Sequence, residues 1–256
     1  MIRDKLKEKT IQKPGTFRFR GTDNTRIEAL SDGVFALATA LLVISTSIPN
    51  TYVELINFLS DLVPFTICIV LLMLIWYQHY VFFIRYGFKD ATIVAINTFL
   101  LILILFYIYP LKFLFEVLYI LFTAIFSGNQ KMMNHLFTEI IPIENAPMLM
   151  IIYGFGAAAI FFTLAIMYLL AYRRREHLNL NILEVFDTKV SLIDNILMGS
   201  IPLLSAIISI VGYGINHIFT IAGFTYWLYA IVMPIFGTIM ARKKRRMIAE
   251  LENTSP

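Results

Sequence analysis

Six apolar stretches of about 20 residues or more punctuate this chain, at residues 27–48, 54–84, 91–109, 148–172, 192–213 and 219–240. A run of that length crosses the roughly 30 Å hydrocarbon core of a bilayer as a helix. A helix satisfies each backbone donor and acceptor within the run itself, which lipid cannot do for it. The expected fold is therefore an all-α membrane protein with six transmembrane helices per subunit. Composition agrees: 59% of the 256 residues are hydrophobic and 15% charged, against about 45–50% apolar and about 25% charged in soluble domains.

The net charge of +4 needs no nucleic acid to explain it. Nearly all of the 21 Lys and Arg fall on one side of a six-span topology. They occupy the N-terminal arm, Arg85 with Lys89, Arg173 to Arg175 with Lys189, and the run Arg242 to Arg246; Lys112 and Lys131 are the exceptions. Basic loops stay in the cytoplasm, so both termini are expected there, in a multi-pass protein of the cell membrane. The residues before the first span are polar and basic with no cleavage site after it, so that span is expected to be retained. The chain divides into a basic arm at residues 1–26, a six-helix region at 27–241 and a basic tail at 242–256. Within the arm, Thr16-Phe17-Arg18-Phe19-Arg20 alternates ring and charge, as expected of a segment lying near lipid headgroups.

Pro110 stands at the end of the third span and Pro202 inside the fifth. Pro110 lacks a backbone donor, so residues 111–126 read as a kinked continuation or a separate amphipathic piece, with Lys112 and Glu116 four apart on one face. Residues 127–147 read as a loop holding a short helix. Cys68 is the single cysteine, so no intrachain disulfide is possible, and the four histidines are scattered without metal-ligand spacing. No enzyme, metal site or cofactor is expected.

Three short matches carry little. Val211-Gly212-Tyr213-Gly214 approaches the potassium filter Thr-Val-Gly-Tyr-Gly, but a filter needs a re-entrant loop. That would turn the fifth span into a hairpin and put the two arginine-rich segments on opposite faces, and Ile210 stands where the filter has threonine. Gly154-Phe155-Gly156-Ala157-Ala158-Ala159 mimics a dinucleotide-binding turn but lies inside an apolar run, where small residues serve close helix packing. Arg173-Arg174-Arg175 are consecutive at a span end; a voltage sensor spaces its arginines along one face inside the span.

The informative constellation surrounds the first span. Arg26, Ser31 and Asp32 stand at its start, and a carboxylate there requires a partner. Arg26 and Asp32 do not share a helical face, so a second helix is expected to complete the set. Trp76 and His79, late in the second span at the same depth, carry donors. Helix capping with interfacial anchoring is the bland alternative.

The pattern Arg26-x-x-x-Leu30-Ser31-Asp32, followed by Gly33-Val34-Phe35-Ala36, resembles the Arg-x-x-x-Phe-Ser-Asp signature of the transmembrane protein 175 family. These are endolysosomal and bacterial potassium channels without the usual filter. The resemblance extends to six spans, to Trp76 and His79, and to the length of a bacterial single-repeat member. It implies a homotetramer whose four copies of the first helix line a central pore, with Arg26, Ser31, Asp32, Trp76 and His79 as a structural network. Leu30 departs mildly from the signature phenylalanine, and Ala40 stands where the family usually has threonine, which implies weaker potassium selectivity.

Leu37, Leu41 and Ile44 follow the i, i+4, i+7 spacing and share one face; that spacing also suits a lipid-facing or packing stripe. The resemblance places the pore constriction on them. Aliphatic rings close a pore by sterics and dewetting, and Leu37 is the expected gate. The selectivity candidates are Ala40, Thr39 and Ser45, whose environment would favour potassium over sodium modestly. The expected partners are a second copy of the chain, membrane lipid and permeant monovalent cations, K+ above all. An ion- or proton-coupled secondary transporter is the rival reading.

Overall fold

The computed structural model describes residues 17–21, 23, 25–44, 49–215 and 217–254. Among them, six helical segments are long and apolar enough to cross a membrane: Arg26–Ile44, Tyr52–Tyr86, Ala91–Ser127, Ile143–Arg173, Ile182–Val211 and Ile218–Asn253. No strand occurs among the described residues. The helices are α1 (Arg26–Ile44), α2 (Tyr52–Ser60), α3 (Leu62–Tyr86), α4 (Ala91–Ser127), α5 (Gln130–His135), α6 (Ala146–Arg173), α7 (Ile182–Val211), α8 (Ile218–Phe224) and α9 (Leu228–Thr254).

Local chemistry sets the boundaries. Thr25 and Glu28 exchange hydrogen bonds at the start of α1, with Thr25 N donating to Glu28 Oε1 at 3.4 Å and Glu28 N donating to Thr25 Oγ1 at 3.2 Å. That reciprocal pattern is a capping box, and Asn181 with Glu184 repeats it at α7. Gly87 ends α3 with φ of 63°, a left-handed conformation that costs glycine little. Asp90 caps α4 by accepting from Ile93 N at 3.3 Å, and its other oxygen accepts from Arg174 Nη1 at 2.6 Å.

Of the two readings for residues 111–126 the structure has the continuation, and the fifth and sixth spans extend beyond their apolar runs. α4 runs on through Pro110 as one helix; Tyr153 Oη donates to Pro110 O at 2.7 Å and Tyr107 Oη donates to Tyr153 O at 2.6 Å, so α6 braces α4 at Pro110. The fifth span starts ten residues earlier than the apolar run, because Asn181 caps a helix whose polar first turns carry Glu184, Asp187 and Thr188. The sixth is α8, a 3-10 turn at Thr225–Trp227 and α9, and α9 carries straight on through Arg242 to Arg246.

Close packing joins α6 to α7. A Cβ at Gly154 would stand 2.5 Å from Pro202 O and 2.7 Å from Ala206 Cβ, and one at Gly156 would run into the Tyr107 ring. The small residues of this run therefore let two neighbours approach. The main core gathers Phe35, Leu42, Leu72, Phe82, Phe83, Leu100 and Leu164 with their neighbours. Much of α2 and α3 instead turns large aliphatic side chains outward, among them Val53, Leu62, Ile67, Val70 and Leu74, which suits lipid rather than water.

The arm before α1 is docked. Phe17 is buried edge-on to Tyr86 at 5.5 Å, with the Arg85 guanidinium 5.0 Å from its ring centre. The amides of Arg20 and Gly21 donate to Ile84 O at 3.1 and 3.0 Å. A Cβ at Gly21 would collide with Phe83 O. Arg18 Nη2 and Arg20 Nη2 reach Glu184 Oε2 at 3.1 and 2.8 Å, and Arg18 N donates to Glu184 Oε1 at 2.8 Å. The ring-and-charge alternation thus serves a packed joint between the end of α3 and the start of α7. Thr16 lies outside the described residues.

Candidate functional site

The polar residues of α1 meet two neighbouring helices in a directed chain. Ser31 Oγ donates to Ile27 O at 2.8 Å, one turn back on its own helix, so its lone pairs face outward. Asn97 Nδ2, from α4, donates to Ser31 Oγ at 2.9 Å. That fixes the amide orientation and leaves Asn97 Oδ1 to accept from His79 Nε2 of α3 at 2.7 Å. His79 therefore carries its proton on Nε2, and the order His79 to Asn97 to Ser31 to Ile27 O ties three helices together. Ser31, His79 and Asn97 are each at most 2% exposed, so each hydrogen bond also avoids the cost of a buried unsatisfied group.

A second link runs beside it. Trp76 Nε1 donates to Asp32 Oδ1 at 2.8 Å. Trp76 and His79 lie three residues apart on one face of α3, while Ser31 and Asp32 are adjacent on α1, so one direct bond and one bridge through Asn97 of α4 fix α1 against α3. Aromatic contacts fill the space between: Phe35 lies 5.7 Å from the His79 ring, and His79 lies 4.7 Å from Phe83.

Of the expected network, Ser31, Asp32, Trp76 and His79 come together. Arg26 is exposed in the first turn of α1 and stands apart from them. Asn97 was not foreseen; the available signal was a single amide inside an otherwise apolar run, which must find a partner in the membrane.

The network makes α1 two-sided. Its buried face is Glu28, Ser31, Phe35, Ala38 and Leu42, all turned toward the rest of the chain. The opposite face carries Leu30, Gly33, Leu37, Ala40 and Ile44, all exposed, with Leu37 at 51% and Ile44 at 73%. Leu41 is partly buried at the edge of this face. Thr39 is also partly buried, and its hydroxyl donates to Phe35 O at 3.0 Å within α1. Ser45 lies outside the described residues. Val211 to Gly214 end α7 and form the turn toward α8. Among the described residues no group of His, Cys, Asp and Glu is placed to hold a metal ion.

Comparison with known proteins gives a consistent picture. Residues 26–107 match the family described as the endosomal/lysosomal potassium channel TMEM175. The chain is 45% identical over 235 residues to a potassium channel of Marivirga tractuosa, covering 91% of this chain and 94% of that protein. Its fold is similar to the crystal structure of a threonine-to-alanine variant of the potassium channel MtTMEM175, in complex with a nanobody fusion. The TM-score is 0.79 at 45% identity, over 89% of this chain and 97% of the other.

Proposed function

The chain belongs to the TMEM175 family of potassium channels, and from that premise we propose that copies of it assemble around a potassium-conducting pore lined by α1. The observation that carries this reading is the two-sidedness of α1. One face is held by polar bonds to α3 and α4, whereas Gly33, Leu37, Ala40 and Ile44 are exposed on the other.

In a homotetramer these positions repeat four times around the axis. Leu37, Leu41 and Ile44 then form aliphatic rings about one helical turn apart. An ion in so narrow and dry a constriction loses hydration without replacement, so closure needs little movement. Leu37 is the gate, and Leu41, set at the edge of the face, adds to the wall. No carbonyl filter is used. Discrimination rests on the width and weak dipoles of the α1 path, where Ala40 contributes no hydroxyl and Thr39 has its own engaged by Phe35 O. Selectivity for K+ over Na+ is accordingly modest. The basic loops put both termini in the cytoplasm, with the protein in the cell membrane and lipid around its outer helices.

The test is recording from purified protein in planar bilayers under a potassium-to-sodium gradient, wild type beside Leu37→Ala. Discrete unitary currents that Leu37→Ala enlarges are expected. Silence from both, in protein shown to be folded and oligomeric, overturns the reading. Saturable flux without unitary steps would mark a secondary transporter instead.

A further inference from the structure

Away from α1, a cavity of about 350 Å³ opens between α7 and α9. Its polar lining is Asp187, Ser191, Asp194 and Lys244, and its walls include Phe186, Val190, Phe236 and Met240. Asp187, Ser191 and Asp194 share a face of α7 by their spacing of four and three residues, and Asp194 lies about 10 Å along the helix from Asp187. Gly237 and Lys244 stand seven apart on α9, which brings them to one side of that helix.

The charged groups have unequal commitments. Lys244 Nζ donates to Asp187 Oδ2 at 2.6 Å, closing the mouth pair. Ser191 Oγ accepts from Arg85 Nη1 at 3.2 Å, and Lys243 lies 5.9 Å from the Phe186 ring centre. Asp194 takes no hydrogen bond or ion pair among the described residues, yet it lines open space inside a membrane-crossing helix. A carboxylate there calls for a cationic partner. The space is real on the α9 side as well, since a Cβ at Gly237 would meet nothing within 4 Å.

We propose that this crevice is a binding site for an alkylammonium group: the ammonium donates to Asp194 and the hydrocarbon lies against Val190, Phe236 and Met240. A volume near 350 Å³ is of small-molecule size, and the aromatic walls add attraction for a cation. The chemistry is the same for a short amine entering from water and for a single-chain amine partitioned into the leaflet at the α9 basic end. The site is separate from α1 and does not depend on how the pore works.

The experiment places a thiol in the open space with Gly237→Cys, in a Cys68→Ser background, on the full-length purified protein. Its rate of modification by cationic 2-aminoethyl methanethiosulfonate is compared with that by the anionic sulfonatoethyl reagent, each normalised to a free thiol. The cation is expected to react about tenfold faster, as one charge-assisted hydrogen bond implies, and Asp194→Asn should abolish the preference. n-Butylammonium should protect the thiol while n-butanol does not; protection by n-dodecylammonium alone assigns the ligand to the bilayer. Equal rates, a preference that survives Asp194→Asn, or protection by neither amine overturns the proposal. Should Gly237→Cys fail to fold, the readout is the thermal shift caused by the two amines in otherwise unaltered protein. A shift with either amine, lost in Asp194→Asn, supports the site, and no shift refutes it.

Discussion

Trp76 and Asp32 are joined across the α1–α3 contact by one hydrogen bond of 2.8 Å, from the indole N–H to a carboxylate oxygen. Asp32 is exposed in the single chain, so water competes for it and the bond contributes about 1 kcal/mol. Trp76→Phe keeps the ring and removes the donor. Its expected effect is a fall in melting temperature of about 2–4 °C, on the scale of a chain this size, measured on purified protein in detergent.

Asn97 carries more. Replacing it with Ala leaves the His79 Nε2–H and the Ser31 lone pairs buried without partners, at about 2–4 kcal/mol for the two groups. Asn97→Ala should therefore lower the melting temperature more than Trp76→Phe does. Equal shifts in the same melts would count against the directed chain from His79 to Ile27 O.

Ala40 is exposed on the free face of α1. Ala40→Thr adds a methyl and a hydroxyl there, and the hydroxyl has a local acceptor one turn back, as Thr39 does with Phe35 O. In the pore reading this substitution moves the reversal potential toward that of potassium under a potassium-to-sodium gradient. An unchanged reversal potential would remove position 40 from the ion path.

Asp90 and Arg174 give a pH signature. Burial alone would raise the Asp90 pKa, but hydrogen bonds from Arg174 and from Ile93 N outweigh it and hold the pKa below the ordinary value. A lowered folded-state pKa means the contribution is complete above the unfolded carboxylate pKa of about 3.9 and is lost as pH falls through the folded value. Asp90→Asn, which retains a capping oxygen, should cost at most about 1 kcal/mol at neutral pH because the pair is partly exposed. The difference from wild type should vanish in melts taken well below pH 4, and a difference that persists there would assign the effect to capping.

The six spans were readable because membrane crossing is a one-dimensional property: length and hydropathy suffice. Trp76, His79, Ser31 and Asp32 were readable because polar residues are conspicuous in apolar runs and their depths match. Asn97 met the first condition, but its partners lie 18 and 66 residues away and no spacing rule connects them. Whether the helix continues past Pro110 or restarts there stayed open in the sequence, because the bonds of Tyr107 and Tyr153 that brace it join two packed helices, which local propensity does not contain. The docking of the arm was hidden for the same reason: Phe17 and Gly21 acquire meaning only beside Tyr86 and Phe83.

That joint has a temporal side. Arg18 and Glu184 are separated by 166 residues, so the segment made first waits for its partner until α1 through α6 have been synthesised. The ion pairs of the arm with Glu184 therefore follow its backbone bonds to Ile84, since distant pairings follow the loops that separate them. A chain arrested before Glu184 can hold every polar bond between α1, α3 and α4 and still lack the acid that receives Arg18 and Arg20. The joint therefore distinguishes a chain that has reached the start of α7 from one that has not.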